Sequence, residues 1–138
     1  QLTRMPPDIM IERWLYREYP GLREIQRRAL MEQQAKAVSI LSRGFRRMTP
    51  GKIYDASQIM NYVFFKLTGA LLGIRFIEPY ERSRYRLEGD ELATWTAEHY
   101  SEDHEGDVSV IDYWARALQL SDWFEWRRFN EISHDVLH

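Results

Sequence analysis

The stretch Ile59-Met60-Asn61-Tyr62-Val63-Phe64-Phe65-Lys66-Leu67-Thr68-Gly69-Ala70-Leu71-Leu72-Gly73-Ile74-Arg75-Phe76-Ile77 is the least typical part of the chain, and its reading decides the fold. As one helix it would extend about 28 Å at the standard rise, close to the thickness of a bilayer core. Gly69 and Gly73 are four apart, so on a continuous helix they share a face and admit a second helix at close range. Lys66 near the middle, with Asn61 and Arg75 towards the ends, opposes a membrane span. A central lysine costs roughly 2.5–3.5 kcal/mol on insertion. A helix apolar on nearly all sides is also what a central core helix of a bundle looks like. The core helix is therefore the expectation, with a membrane-associated variant kept beside it.

Working outwards, Pro79 ends this helix, because the residue before a proline avoids helical geometry. Asp55 or Ser57 is a candidate cap for its start. Upstream, Thr49-Pro50-Gly51 and Pro20-Gly21 are clear breaks. They bound a helix over about 22–48 with a seam of Met31, Val38, Leu41, Phe45 and Met48, Gln34 falling within it. Its other side carries Arg23, Arg27, Arg28, Lys36, Arg43, Arg46 and Arg47. A first helix starts at Pro6-Pro7-Asp8 and shows Ile9, Ile11, Trp14 and Leu15. Downstream, residues 78–89 form one short irregular or extended connection, with Gly89-Asp90 as a turn and cap. Helices then follow over about 91–101, 108–118 and 121–136, the last capped by Ser121. The expected fold is all-α: an irregular bundle of five to six helices in a single helical domain, 1–138.

The chain has 138 residues, 44% hydrophobic and 29% charged, enough for an ordinary core. It has no cysteine, which excludes disulfides, thiolate catalysis and cysteine-ligated metals. The net charge of −2 conceals an asymmetry. Residues 1–52 hold 11 Lys+Arg against 5 Asp+Glu, and residues 53–138 hold 8 against 16. A basic half and an acidic half attract one another within the fold, between copies, or to a partner of complementary charge. The balance does not suit a nucleic-acid binder. No apolar run follows Gln1, so no secretory signal is read and an intracellular or organellar setting is expected.

The Gly-x-x-x-Gly helix followed by an Arg-, Tyr- and Pro-containing charged stretch, residues 69–86, is similar to small accessory subunits of mitochondrial respiratory and ATP synthase complexes. The likeness is too short to assign a family. It implies a subunit that works by contact.

Aromatic residues point the same way. Trp123, Trp126 and Arg127 sit three and four residues apart, so one helix side would offer rings and a guanidinium. These are residue types enriched at the energetic centres of interfaces. The expected role is a non-enzymatic subunit or adaptor that binds other protein subunits or its own copies, at a membrane in one variant. Its partner contacts would be Gly69, Gly73, Trp123, Trp126, Arg127, Arg46 and Arg47. No cofactor and no nucleic acid is expected.

The alternative is a metal-binding protein or metalloenzyme using the acidic and histidine patch 98–107. Its weak candidate ligands are Glu98, Glu102, His104 and His134, with Glu98 and Glu102 sharing a helix face. The spacing matches no specific ligand signature. Glu131-Ile132-Ser133-His134 is a single Glu-x-x-His where a di-iron bundle requires two. A solvated helix end is the simpler account.

Overall fold

The computed structural model describes residues 1–42, 50–123, 125 and 126, apart from the side chains of Ser42 and His104. Five helices carry the described residues: α1 (Met5–Glu18), α2 (Arg23–Ser42), α3 (Gly51–Leu72), α4 (Arg86–His99) and α5 (His104–Ala117). No strand is formed among them, so the all-α expectation stands. α3 packs against α1, α2 and α4, and α5 closes on α1 and α4.

α3 is central because its sequence leaves almost no polar side. Tyr62, Val63, Phe64 and Phe65 are consecutive, yet each is at most 1% exposed. Consecutive residues point about 100° apart, so such a run needs neighbours on every side. α3 begins right after Pro50, earlier than a cap at Asp55 or Ser57 would place it, and no side chain caps it. Its C-terminal end, at Leu72, also falls short of the stop expected just before Pro79. The chain reverses at Gly73, which adopts the left-handed conformation (φ 69°). The Ile74 N–H then donates back to the Gly69 carbonyl at 2.9 Å, a helix-ending pattern suited to glycine. Apolar periodicity continues through Phe76, so sequence pattern alone overshoots this end.

α1 and α2 form a hairpin across a short 3₁₀ turn at Pro20–Leu22. Gln26 faces inward and donates to the Glu12 carbonyl at 2.8 Å and to its carboxylate at 2.6 Å. The Arg23 guanidinium lies 4.1 Å from the centroid of the Tyr16 ring. The inner face of α2 is Gln26, Leu30 and Ala37, whereas Met31, first in the expected seam, is 49% exposed. Val38 and Leu41 of that seam do pack against the core, and Phe45 and Met48 lie outside the described residues. Gln34 does face inward, and donates to the Phe76 carbonyl at 3.0 Å.

The connection after α3 takes the irregular form of the expectation, not the extended one, and it ends at Tyr85. It contains a 3₁₀ turn at Glu78–Tyr80 followed by further turns, which insert Tyr80 and Tyr85 into the core. α4 begins at Arg86, so Gly89 and Asp90 lie inside a helix, not in the expected turn. Gly89 is where α4 meets α3. A Cβ there would lie 2.8 Å from Cγ and 2.9 Å from Cε1 of Tyr62, and nearer still to Cδ1. The neighbouring Asp90 accepts from the Tyr62 hydroxyl at 2.6 Å and pairs with Lys66. Lys66, the residue least suited to a span, therefore ties the two helices together.

α5 starts at His104, ahead of the expected 108. The Asp103 side chain caps it by accepting from the Gly106 N–H at 2.5 Å. Trp114 is fully buried and donates to the Thr96 hydroxyl at 2.9 Å. Trp95 stacks between Tyr113 (centroids 3.5 Å apart) and His99 (4.7 Å). After Ala117 the described chain makes a 3₁₀ turn at Ser121–Trp123. The expected helix over 121–136 lies largely outside the described residues.

Candidate protein-binding surface

Burial divides α1 sharply. Met5 and Ile9 enter the core, but Ile11 and Trp14 project on another side at 51% and 45% exposure. A sequence stripe containing Ile9, Ile11 and Trp14 merges two faces that the fold separates. Tyr19, Leu22, Ile25 and Met31, on the elements that follow, are exposed as well. The Trp14 and Tyr19 rings meet edge to face, with centroids 5.1 Å apart.

Beside Trp14 lies a groove of about 420 Å³ lined by Pro7, Met10, Ile11 and Trp14 on α1 and by Glu102, Asp103 and Asp107 opposite. Each acid has a structural task. Glu102 pairs with Arg17 at 3.1 Å, with both side chains about half exposed. Asp103 caps α5, and Asp107 accepts from the Tyr100 hydroxyl. Burial, and then the bond to Asp107, holds the Tyr100 phenol well above its ordinary range. Asp8, on the same helix, has its carboxyl raised by partial burial despite Arg4 at 3.5 Å.

The other expected partner contacts fare differently. Trp123 and Trp126 are 61% and 50% exposed, and the Trp126 indole donates to Asp112. Arg46, Arg47 and Arg127 lie outside the described residues. Gly69 and Gly73 do not form a shared notch for a second helix. Gly69 is covered by its own chain, since a Cβ there would meet the Ile74 carbonyl oxygen at 2.5 Å and Phe76 at 3.3 Å. Gly73 is exposed beyond the helix end. The spacing fits both uses, and the chain spends it on its own reversal.

Glu98 and Glu102 do not share a helix face, because α4 ends at His99 and Tyr100 is extended. Glu102 then belongs to the loop before α5 and is engaged by Arg17. His99 faces the Trp95 carbonyl at 2.9 Å. His134 lies outside the described residues, as does the His104 side chain. Among the described residues no three His, Asp or Glu side chains gather as a metal site would require, and no helix is long and apolar enough to cross a membrane.

A second cleft, of about 680 Å³, opens at the start of α3 between Lys52, Asp55, Arg84, Tyr85 and Glu88. Sequence reading passed over it, because its members come from α3 and from the connection 29–30 residues away. Tyr85 donates to Asp55 at 2.8 Å and Arg84 pairs with the same carboxylate. Burial, ahead of the Asp55 contact, raises the Tyr85 phenol. These contacts of Asp55 with Arg84 and Tyr85 anchor the connection to α3. Comparison of the chain with protein-family models, curated proteins and solved structures gives no match.

Proposed function

We propose that this chain is a non-enzymatic helical component of a larger protein assembly, and that it works by binding other protein subunits through the outer side of the α1–α2 hairpin. One observation carries the reading: Ile11, Trp14, Tyr19, Leu22, Ile25 and Met31 leave large apolar side chains in solvent on consecutive elements. Scattered exposed apolar residues are ordinary, but exposed aromatic and Met side chains along one hairpin that also carries arginines are of the residue types enriched at interface centres. Trp123 and Trp126 add exposed indoles at the far end of the described chain.

A photo-crosslinking residue at Ile25 or Trp14, introduced in the native cell, tests the reading. Crosslinks from both positions to the same protein subunits are expected. The proposal fails if both positions give no intermolecular product while the purified chain is a monodisperse monomer that does not bind an apolar dye.

A further inference from the structure

The groove beside Trp14 is apolar on one wall and acidic on the other, which restricts what can fill it. Pro7, Met10, Ile11 and Trp14 supply the apolar wall, and Glu102, Asp103 and Asp107 the acidic one, with no Lys or Arg in the lining. We infer that this groove receives a basic amphipathic helix of a partner protein, its apolar anchors against Trp14 and its Arg or Lys residues against the three carboxylates. The inference rests on the protein-binding reading above and names the kind of partner for one part of that surface.

Three features support this occupant. A groove of about 420 Å³ holds a few side chains rather than a whole helix, which is how anchors at helical spacing enter a surface. Asp103 and Asp107 each use one carboxylate oxygen, Oδ1, for the fold's own bonds, so the other oxygen can accept from an incoming guanidinium. The Arg17–Glu102 pair is exposed, and such a pair is weakly held and readily exchanged. A bilayer or nucleic acid would bring phosphates towards these acids, and recognition of either calls for Lys and Arg on the protein side.

The test uses the full chain and a fluorescent helical peptide of about 15 residues with Leu at i, i+3, i+4 and i+7 and Arg on the flanks, beside a matched peptide carrying Glu for Arg. Anisotropy titration should give the Arg peptide at least about tenfold higher affinity, falling as salt is raised. Trp14→Ala should weaken it by about tenfold or more. Glu102→Gln should weaken it by about two- to threefold. Circular dichroism should show both variants folded. Equal affinities for the two peptides, or full binding by Trp14→Ala, would overturn the inference. So would Trp14-dependent self-association that the Arg peptide does not compete, since the occupant is then a second copy. If the Arg peptide fails while crosslinks from Ile25 persist, only the assignment of this groove falls. Loss of both removes the protein-binding reading as well.

Discussion

Gly89→Ala is the sharpest probe of how α3 and α4 are joined. In an exposed helix interior the change is favourable by about 1 kcal/mol, because alanine is the better helix former. Here the new methyl would fall within 3 Å of three atoms of the Tyr62 ring. That ring has little freedom. It is 1% exposed, its hydroxyl is bonded to Asp90 at 2.6 Å, and it stands edge-on to Tyr80 with centroids 6.3 Å apart. Overpacking a well-filled site costs about 1–3 kcal/mol, and an anchored ring places the cost near the top of that range. The net expectation is a loss of about 2 kcal/mol. With an unfolding entropy of about 2.1 cal/mol/K per residue, this lowers Tm by roughly 7 °C. Thermal and urea denaturation followed by circular dichroism measure it. Gly21→Ala is the control, since no atom lies within 4 Å of the added Cβ. It should be neutral or up to about 1 kcal/mol stabilising. In a Tyr62→Ala background Gly89→Ala should cost nothing further. A Gly89→Ala protein as stable as the parent would refute the close-packing account of this glycine.

Other perturbations separate individual contacts. Tyr80 is fully buried and its hydroxyl finds no partner among the described residues, so Tyr80→Phe should stabilise by about 0.5–1.5 kcal/mol. Tyr62→Phe, which strips a bond from Asp90, should instead destabilise by about 1–2 kcal/mol; equal effects in urea titrations would contradict the assignment. Gly73→Ala should cost about 1 kcal/mol through its left-handed backbone, and Gly73→Asn less, as read by Tm. Burial, reinforced by Tyr54, pushes the Tyr80 phenol up to about 12. The phenol is neutral in both states below the unfolded value near 10, and as pH rises towards about 12 the unfolded chain ionises first, so stability falls across that window. Alkaline unfolding should therefore shift to higher pH in Tyr80→Phe, and an unchanged midpoint would count against that burial.

What the sequence disclosed was the punctuation and the central helix. Pro20, Pro50 and the dense apolar run of α3 act locally, so their consequences can be read in place. What it concealed depended on partners distant in the chain. The helical period places Gln34 within the α2 seam, but it does not encode the carbonyl 42 residues away that accepts from it. Gly89 resembles a turn residue until Tyr62 is placed against it. The Gly69–Gly73 spacing is the same for a docking notch and for a helix stop, and only the returning Ile74 and Phe76 separate the two. Trp14 was legible as apolar, but its outward side became clear only once Met5 and Ile9 had taken the core.

The Trp95 stack gives the molecule an optical gauge of its own. Trp95 on α4 lies parallel to Tyr113 on α5, with an angle of 1° between the ring planes. Coupled transitions of that kind produce near-ultraviolet dichroism only while the two helices are seated, so the band vanishes when packing loosens even if helicity survives. Trp14, Trp123 and Trp126 are exposed indoles, so their emission should lie to the red and move blueward when another molecule covers them. One unlabelled sample can thus follow internal order and surface occupancy in separate spectral windows.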